Sequence, residues 1–163
     1  MSLLTMELKS ALMIFLISMT PVIELRGAIP YGAAVDLPVW ETVVLSVVGN
    51  LILTPFIVLF VRKVFNWLKK AEFLRPFVEW SEKHILGKKD VLSKYEKIGL
   101  AILVAIPFPG TGAWTGAMLA GLLGMRLKDA LPAICIGVVI AAIIVSGVSY
   151  GFIGAIGLFG LHA

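Results

Sequence analysis

The sequence predicts an all-α integral membrane protein with two inverted repeats, each a re-entrant helical hairpin followed by a transmembrane helix. Three observations predict this fold class. The chain is 163 residues long, 60% hydrophobic and only 15% charged, whereas soluble domains are about 45–50% apolar and about 25% charged. Ten of its 14 Lys and Arg residues lie between positions 62 and 97. Two apolar stretches contain internal Pro and Gly clusters, and two do not.

Four apolar stretches lie at residues 11–34, 42–61, 98–125 and 131–160. A spanning helix needs about 20 mainly apolar residues. The second and fourth stretches meet this requirement without a charged residue, so we expect both to cross the membrane. The chain is then a single membrane domain that consists of a first repeat (about residues 10–62), a cytoplasmic linker (about 63–97) and a second repeat (about 98–161).

The first and third stretches carry helix breakers. The first contains Pro21, Gly27, Pro30 and Gly32, and the third contains PFPGTG at residues 107–112. Proline lacks a backbone donor and glycine favours turns. In hydrocarbon, irregular backbone persists only where protein or a water-filled cavity satisfies its polar groups. We therefore expect each stretch to be a re-entrant hairpin, which enters and leaves by the same face of the membrane.

The position of the basic residues sets the orientation. Lys and Arg accumulate on the cytoplasmic side of membrane proteins, so residues 63–97 are expected there. With re-entrant hairpins, Arg126 and Lys128 fall on the same face, and Asp36 lies on the opposite one. Because apolar spans flank the basic run, it indicates a cytoplasmic loop and not a nucleic-acid-binding surface.

The linker has an amphipathic pattern. Val64, Trp67, Leu68, Ala71 and Leu74 recur at helical spacing among charged residues. This pattern is typical of a helix that lies on the membrane surface, with aromatic anchors at the interface. A second short helix is predicted from Pro76 to about residue 87, with Trp80 as a further anchor.

A short internal repeat supports the division into halves. Leu37-Pro38 follows the first hairpin and Leu131-Pro132 follows the second. Proline suits the first position of a helix, so each pair is expected to open the next long helix. Inverted repeats with broken helices are a common plan of transporters, whose binding sites lie near the bilayer midplane.

Two charged residues, Glu24 and Arg26, fall in the broken part of the first stretch. Charges at the bilayer centre cost at least about 2.5–3.5 kcal/mol. Two explanations stay open. The pair could be a structural contact, or it could line a polar cavity in which Arg26 binds a phosphate or carboxylate. In the second case, desolvation favours the protonated form of a carboxyl group, which makes Glu24 a candidate for proton coupling.

We expect the two hairpin tips to meet, with Glu24 and Arg26 facing residues 109–114. Further polar residues complete the predicted substrate- and proton-binding set: Asp36, Asn50, Thr111, Trp114 and Thr115. Ser46, Asn50 and Thr54 share one face of the first spanning helix, where helix packing and cavity lining are both open.

Two motifs carry a family resemblance. ELRGAIPYG at residues 24–32 and PFPGTGAWTGAMLAG at 107–121 resemble the small multi-drug export protein family. This family in turn resembles the DedA, or VTT, superfamily of re-entrant-loop membrane proteins. The resemblance implies transport of polyprenyl-phosphate-like lipid carriers, with Glu24 and Asp36 matching the two acidic residues of the DedA first hairpin. DedA proteins also carry arginines around the second hairpin, whereas here Arg126 lies just beyond it.

The sequence therefore predicts a DedA-like transporter of the prokaryotic plasma or inner membrane. It would move a small or lipid-linked, anionic substrate, with proton coupling as an option, and would work as a homodimer in contact with membrane lipid. A small multidrug or cation exporter and a non-transporting, lipid-organising scaffold are the alternatives. No metal-ligand cluster, nucleophile elbow or phosphate loop occurs, so no cofactor, metal or enzymatic activity is expected.

Overall fold

The computed structural model of the protein describes residues 2–68, 89–108 and 110–158. Within these ranges the chain is all-helical and has no strand, which confirms the all-α part of the predicted fold class. Its helices are α1 (Ser2–Met19), α2 (Glu24–Ala34), α3 (Val39–Leu68), α4 (Lys89–Ala105), α5 (Ala113–Leu122) and α6 (Leu127–Leu158). The predicted surface helices between Ala71 and residue 87, with Trp80, lie outside the described residues.

The helices differ in length in a way that matters for a membrane. Helices α3 and α6 have 30 and 32 residues, which corresponds to ~45 and ~48 Å at 1.5 Å per residue. The segments Val39–Val64 and Leu127–Phe152 are long and apolar enough to cross a membrane. Helices α2 and α5 have 11 and 10 residues, or ~15–17 Å. These short helices cannot span a hydrocarbon core of ~30 Å.

Both predicted helix breaks are present, but the first is narrower than expected. Helix α1 ends at Met19 and α2 begins at Glu24, so the break holds Pro21. The other three predicted breakers, Gly27, Pro30 and Gly32, lie inside α2. The prediction was wrong for them because α2 is packed on several sides, and neighbouring helices make proline and glycine tolerable in buried helices.

The predicted Leu-Pro correspondence is also wrong. Pro38 directly precedes α3, whereas Pro132 lies inside α6, which already begins at Leu127. The N–H groups of Asp129 and Ala130 both donate to the Arg126 carbonyl oxygen at 2.9 Å. Asp129 then lies in the first turn, where a carboxylate is favoured by the helix dipole. Helix α6 therefore starts about one turn before its proline.

In the first half, the chain reverses at the break and again before α3. Ile14 of α1, Ala28 of α2 and Leu37 form one buried cluster. Further along α1, Ser18 lies against Gly49 of α3. Because Ile14 lies level with the start of α3 and Ser18 lies further along it, α1 and α3 run parallel. Helix α2 runs back between these two reversals.

The second half reverses in the same manner. Gly121 near the end of α5 packs on Val61 of α3. The Lys97 Nζ atom lies 2.8 Å from Asp129 Oδ1, so α6 begins beside the middle of α4. Arg126, three residues before Asp129, lies in the same region of the molecule. At the other end of α6, Tyr150 reaches Leu37.

The helix contacts are the same in the two halves. Helices α1, α2 and α3 all touch one another, and so do α4, α5 and α6. In addition, the short helix of each half packs on the long helix of the other, α2 on α6 and α5 on α3, while α3 also packs on α6. This exchange brings the two helix breaks together.

Gly137 tests the contact between α6 and α4. A Cβ atom there would lie 2.7 Å from the Ala101 carbonyl oxygen and 2.6 Å from Val104 Cβ of α4. We predict that Gly137→Ala lowers the free energy of unfolding in detergent by about 1–3 kcal/mol, because overpacking displaces a helix. On the same helix, a Cβ at Gly147 would meet no atom within 4 Å, so Gly147→Ala is the control. Equal stability of the two variants would contradict the packing.

Candidate functional site

Glu24 stands at a strained turn. It is the first residue of α2 and has φ 51°, and Val22 in the break has φ 76°. Left-handed conformations of this kind cost about 1–3 kcal/mol each in non-glycine residues and persist only where the surroundings determine them. This turn directs the Glu24 side chain away from its own helix and towards the second break, and only 3% of the residue is exposed.

The Glu24 carboxylate accepts hydrogen bonds from the N-terminus of α5. The N–H of Trp114 donates to Oε1 at 2.9 Å, and the N–H of Ala113 donates to Oε2 at 3.3 Å. The first N–H groups of a helix have no partner within the helix. The residue before α5 is Gly112, which has no side chain to cap it. Glu24 supplies the missing cap from the other half of the protein.

Gly112 is required by this contact. Its backbone is extended, a conformation open to any residue, so its conformational freedom is not the reason for glycine. A Cβ atom at this position would collide with Glu24 Oε2 and approach Arg26 Nη1. The second glycine of the PGTG motif therefore makes room for the carboxylate.

Arg26 binds the other end of the second break. Its Nη2 donates to the Ile106 carbonyl oxygen at 2.7 Å and to Thr111 Oγ1 at 3.3 Å. Its Nη1 lies 3.4 Å from Glu24 Oε2. The Thr111 hydroxyl also lies 2.8 Å from the Ile106 carbonyl oxygen. The Phe108 N–H donates to the same oxygen at 2.8 Å, so the carbonyl just after α4 has three donors.

A cavity that is open to the protein surface lies between the two breaks, beside these contacts. Its volume is about 200 Å³. Residues from both halves line it: Pro21, Val22, Glu24, Arg26, Gly110, Thr111, Trp114, Thr115 and Met118. The structure therefore brings Glu24 and Arg26 together with the tip of the second hairpin.

The cavity wall has unused donors. Within the described part of the chain, Arg26 Nε and the indole Trp114 Nε1 are buried and have no hydrogen-bond partner. Both oxygens of Glu24 already accept hydrogen bonds. Two N–H groups beneath the cavity surface are thus without a partner, and the carboxylate is already engaged.

The remaining predicted site residues are placed differently. Asn50 is 1% exposed and faces the Glu24 carboxylate, although its amide has no partner that satisfies hydrogen-bond geometry among the described residues. The Thr115 hydroxyl donates to the Gly110 carbonyl oxygen at 2.7 Å. Asp36 lies in an exposed turn at the opposite end of α2, ~15 Å away along the helix axis. The structure does not bring Asp36 to this site, because α2 stays helical from Glu24 to Ala34.

The sequence analysis did not identify two of the groups involved. The role of the Ile106 carbonyl could not be predicted from the sequence, since every residue has a carbonyl group. Thr42 could have been found, because it stands four positions before Ser46 and continues the same polar face; both are fully buried. Across residues 2–68, 89–108 and 110–158, no cluster of three or more His, Cys, Asp or Glu side chains could hold a metal ion.

A family model described as "Putative small multi-drug export protein" matches residues 24–144. The chain belongs to this family. The match begins at Glu24 and covers every cavity residue except Pro21 and Val22. Membership of an export family, together with two helices able to cross a membrane, assigns the protein to a membrane. No curated protein and no solved structure matches the chain.

A double-mutant cycle tests whether Glu24 and Arg26 act as one unit. Glu24→Ala, Arg26→Ala and the double variant should show a coupling energy of about 1–3 kcal/mol in the free energy of unfolding. Each single change leaves a buried charge without its partner, which costs more than removing both. Unfolding in detergent, followed by tryptophan fluorescence, provides the measurement.

The matched control is the Lys97–Asp129 pair, whose side chains are 44% and 29% exposed. Water screens such a pair, so the same cycle with alanine at both positions should give little coupling. Similar coupling in the two cycles would contradict a special role of the buried pair.

Proposed function

We propose that the protein is a multi-pass transporter of a prokaryotic plasma membrane and that it exports a small or lipid-linked substrate bearing a carboxylate or phosphate group. The observation that carries the proposal is a cavity lined by Arg26 and Trp114, whose Nε and Nε1 donors lie beneath its surface without a partner among the described residues. Buried donors without acceptors are rare in proteins. We propose that both side chains turn towards a substrate whose acceptor oxygens satisfy them.

The charges around the cavity favour an anion over a cation. Arg26 carries a positive charge, and the N-terminus of α5 adds a partial positive charge. Glu24 is the opposing charge, and its oxygens are engaged by two N–H groups and by Arg26. A cationic drug would have to displace these donors, whereas an anion would find donors unused. We therefore place the multidrug or cation exporter second.

We further propose that α1–α2 and α4–α5 are re-entrant hairpins that enter the membrane from opposite faces, in two inverted repeats. The reversal of the chain at each break supports this arrangement, as does the Lys97–Asp129 contact that brings the start of α6 back beside α4. The shortness of α2 and α5 supports it as well. The cavity would then lie near the middle of the bilayer, where transporters of this plan bind substrate.

The ion pair offers a mechanism for coupling binding to movement. An anionic group entering the cavity would compete with Glu24 for Arg26. Loss of that contact would weaken the link between the two breaks, because Arg26 also holds the Ile106 carbonyl. Each hairpin packs on the long helix of the other half. Loss of the contact between the two breaks would therefore let the two halves shift and open the cavity to the opposite face of the membrane. No covalent step is involved.

Exposed apolar side chains around the breaks are available to contact a lipid-linked substrate or a second copy of the chain. Val22, Ile23 and Phe108 are each at least half exposed. A lipid-linked substrate, as the DedA resemblance implies, could lay its tail against them while its head group enters the cavity. We propose that a second copy of the chain covers part of this surface, since among the described residues only two helices are long enough to shield the broken backbone from lipid.

A non-transporting scaffold is the second candidate. It is favoured by the Glu24 carboxylate, because every contact of that group is one that a purely structural cap would make. The two candidates differ in what Arg26 does beyond stability.

Flux in proteoliposomes separates them. We predict counterflow of a polyprenyl phosphate or an amphiphilic carboxylate, and none of an organic cation of equal size. Arg26→Lys keeps the charge but loses the planar fork, so it should lower flux at least about tenfold, which equals ~1.4 kcal/mol. Gly137→Ala, compared at equal folded fraction, is the control for stability. Flux that falls equally in both variants, or no flux of either anion, would favour the scaffold.

Cysteine labelling tests the membrane topology. In a Cys135→Ala background, we predict that Asp36→Cys and Arg126→Cys react with an impermeant thiol reagent from opposite faces of the membrane, since both positions are exposed. Lys128→Cys, also exposed, should label from the same face as position 126. Labelling of positions 36 and 126 from one face would contradict the re-entrant hairpins.

A further inference from the structure

One face of α3 is a row of buried polar side chains. Thr42, Ser46, Asn50 and Thr54 are each at most 1% exposed. They are spaced four residues apart, which places them on one side of the helix at steps of ~6 Å. Together they extend over ~18 Å, more than half of a hydrocarbon core of ~30 Å.

The ends of this row have partners and its middle does not. Thr42 Oγ1 hydrogen-bonds with the Tyr150 hydroxyl at 2.9 Å, and the Thr54 hydroxyl donates to the Asn50 carbonyl oxygen at 3.0 Å. Within the described residues, the Ser46 hydroxyl and both atoms of the Asn50 amide have no partner. Three neighbouring buried polar atoms without partners are unusual, because each forfeits the hydrogen bonds it would make in water.

The spacing of the unpaired groups fits bound water. Side chains four residues apart on a helix have Cβ atoms ~5–6 Å apart. One water molecule at ~2.8 Å from each of two polar groups bridges such a gap. Buried water in proteins typically bonds to polar groups that have no other partner. Ser46 and Asn50 supply three such atoms.

The row connects the Glu24 site with the protein surface. One turn before its inner end, Asn50 faces the Glu24 carboxylate. At its outer end, the Tyr150 hydroxyl donates to the Leu37 carbonyl oxygen at 2.8 Å. The residue before Leu37 is Asp36, in the exposed turn between α2 and α3.

We propose that water molecules bound along Ser46 and Asn50 form a proton route from the Asp36 turn, past Tyr150 and Thr42, to Glu24. A proton would leave a hydronium ion at the turn, pass along the hydrogen-bonded chain and end on a carboxylate oxygen of Glu24, which leaves water behind. The route does not depend on the substrate. Only its use, to couple export to proton entry, rests on the proposed function.

Protonation would act on every group that faces Glu24. On α2 this is Arg26, the charged partner. From α5 it is the N–H groups of Ala113 and Trp114, and from α3 it is the Asn50 amide. A neutral Glu24 would hold both Arg26 and the N-terminus of α5 more weakly. The proton would thus release the contact with which we expect the substrate to compete.

Time-resolved infrared spectroscopy after a pH jump tests the route, with the protein in lipid nanodiscs. The carboxyl band of protonated Glu24 is assigned by its absence in Glu24→Gln. We expect Ser46→Val, which fills the middle of the row, to slow the appearance of this band at least about tenfold. Ser46→Ala, which removes the hydroxyl without adding volume, should slow it less and remain folded.

Thr54→Val is the matched control. It lies on the same face of α3, one turn beyond Asn50, and its hydroxyl is already bonded to its own helix. Its protonation rate should equal that of the wild type. Wild-type rates in both Ser46 variants, an equal slowing in Thr54→Val, or no Glu24 band at any pH would overturn the proton route. These outcomes are independent of counterflow, which alone decides the transport function.

Discussion

The structure depends on how the second helix break is satisfied. Helix α4 ends with a partial negative charge and α5 begins with a partial positive one; the end of α4 at Ile106 is partly exposed, whereas the start of α5 at Ala113 is buried. Arg26 donates to the Ile106 carbonyl just after α4, and Glu24 accepts from the first N–H groups of α5. One ion pair from the first half therefore neutralises two helix ends of opposite sign in the second half. This explains why an apolar stretch carries two charges only two residues apart.

The same requirement explains the asymmetry between the two hairpins. The first break spans only residues 20–23, and the Glu24 N–H closes it by donating to the Thr20 carbonyl oxygen at 3.1 Å. The second spans residues 106–112, and Arg26 and Glu24 bond to backbone groups at its two ends. The charged side chains thus belong to the hairpin with the shorter break, but they form hydrogen bonds with the backbone of the longer break. Gly112 completes the arrangement, since a side chain there would exclude the carboxylate.

Periodicity and composition were sufficient to predict the two long helices, the two breaks and the meeting of their tips. These features follow from hydrocarbon, which makes every unpaired backbone group costly. The exact residues at which the helices begin and the distances between site residues along a helix could not be predicted. Pro132 was expected at a helix start, yet the first turn of α6 forms before it, because Asp129 suits that turn. Asp36 was grouped with Glu24 by family resemblance, and the exposed turn that holds it is separated from the site by the length of α2.

A contact that closes a break can also serve as a switch if it is not too strong. The Arg26–Glu24 distance of 3.4 Å is longer than the ~2.7–2.9 Å typical of a strong charged hydrogen bond. Arg26 divides its donors among Glu24, Ile106 and Thr111, and its Nε has no partner among the described residues. Under the proposed function, an acceptor that enters the cavity would bind Arg26 while the contact with Glu24 is still in place. The structural role and the proposed transport role of this pair would then be two states of one contact.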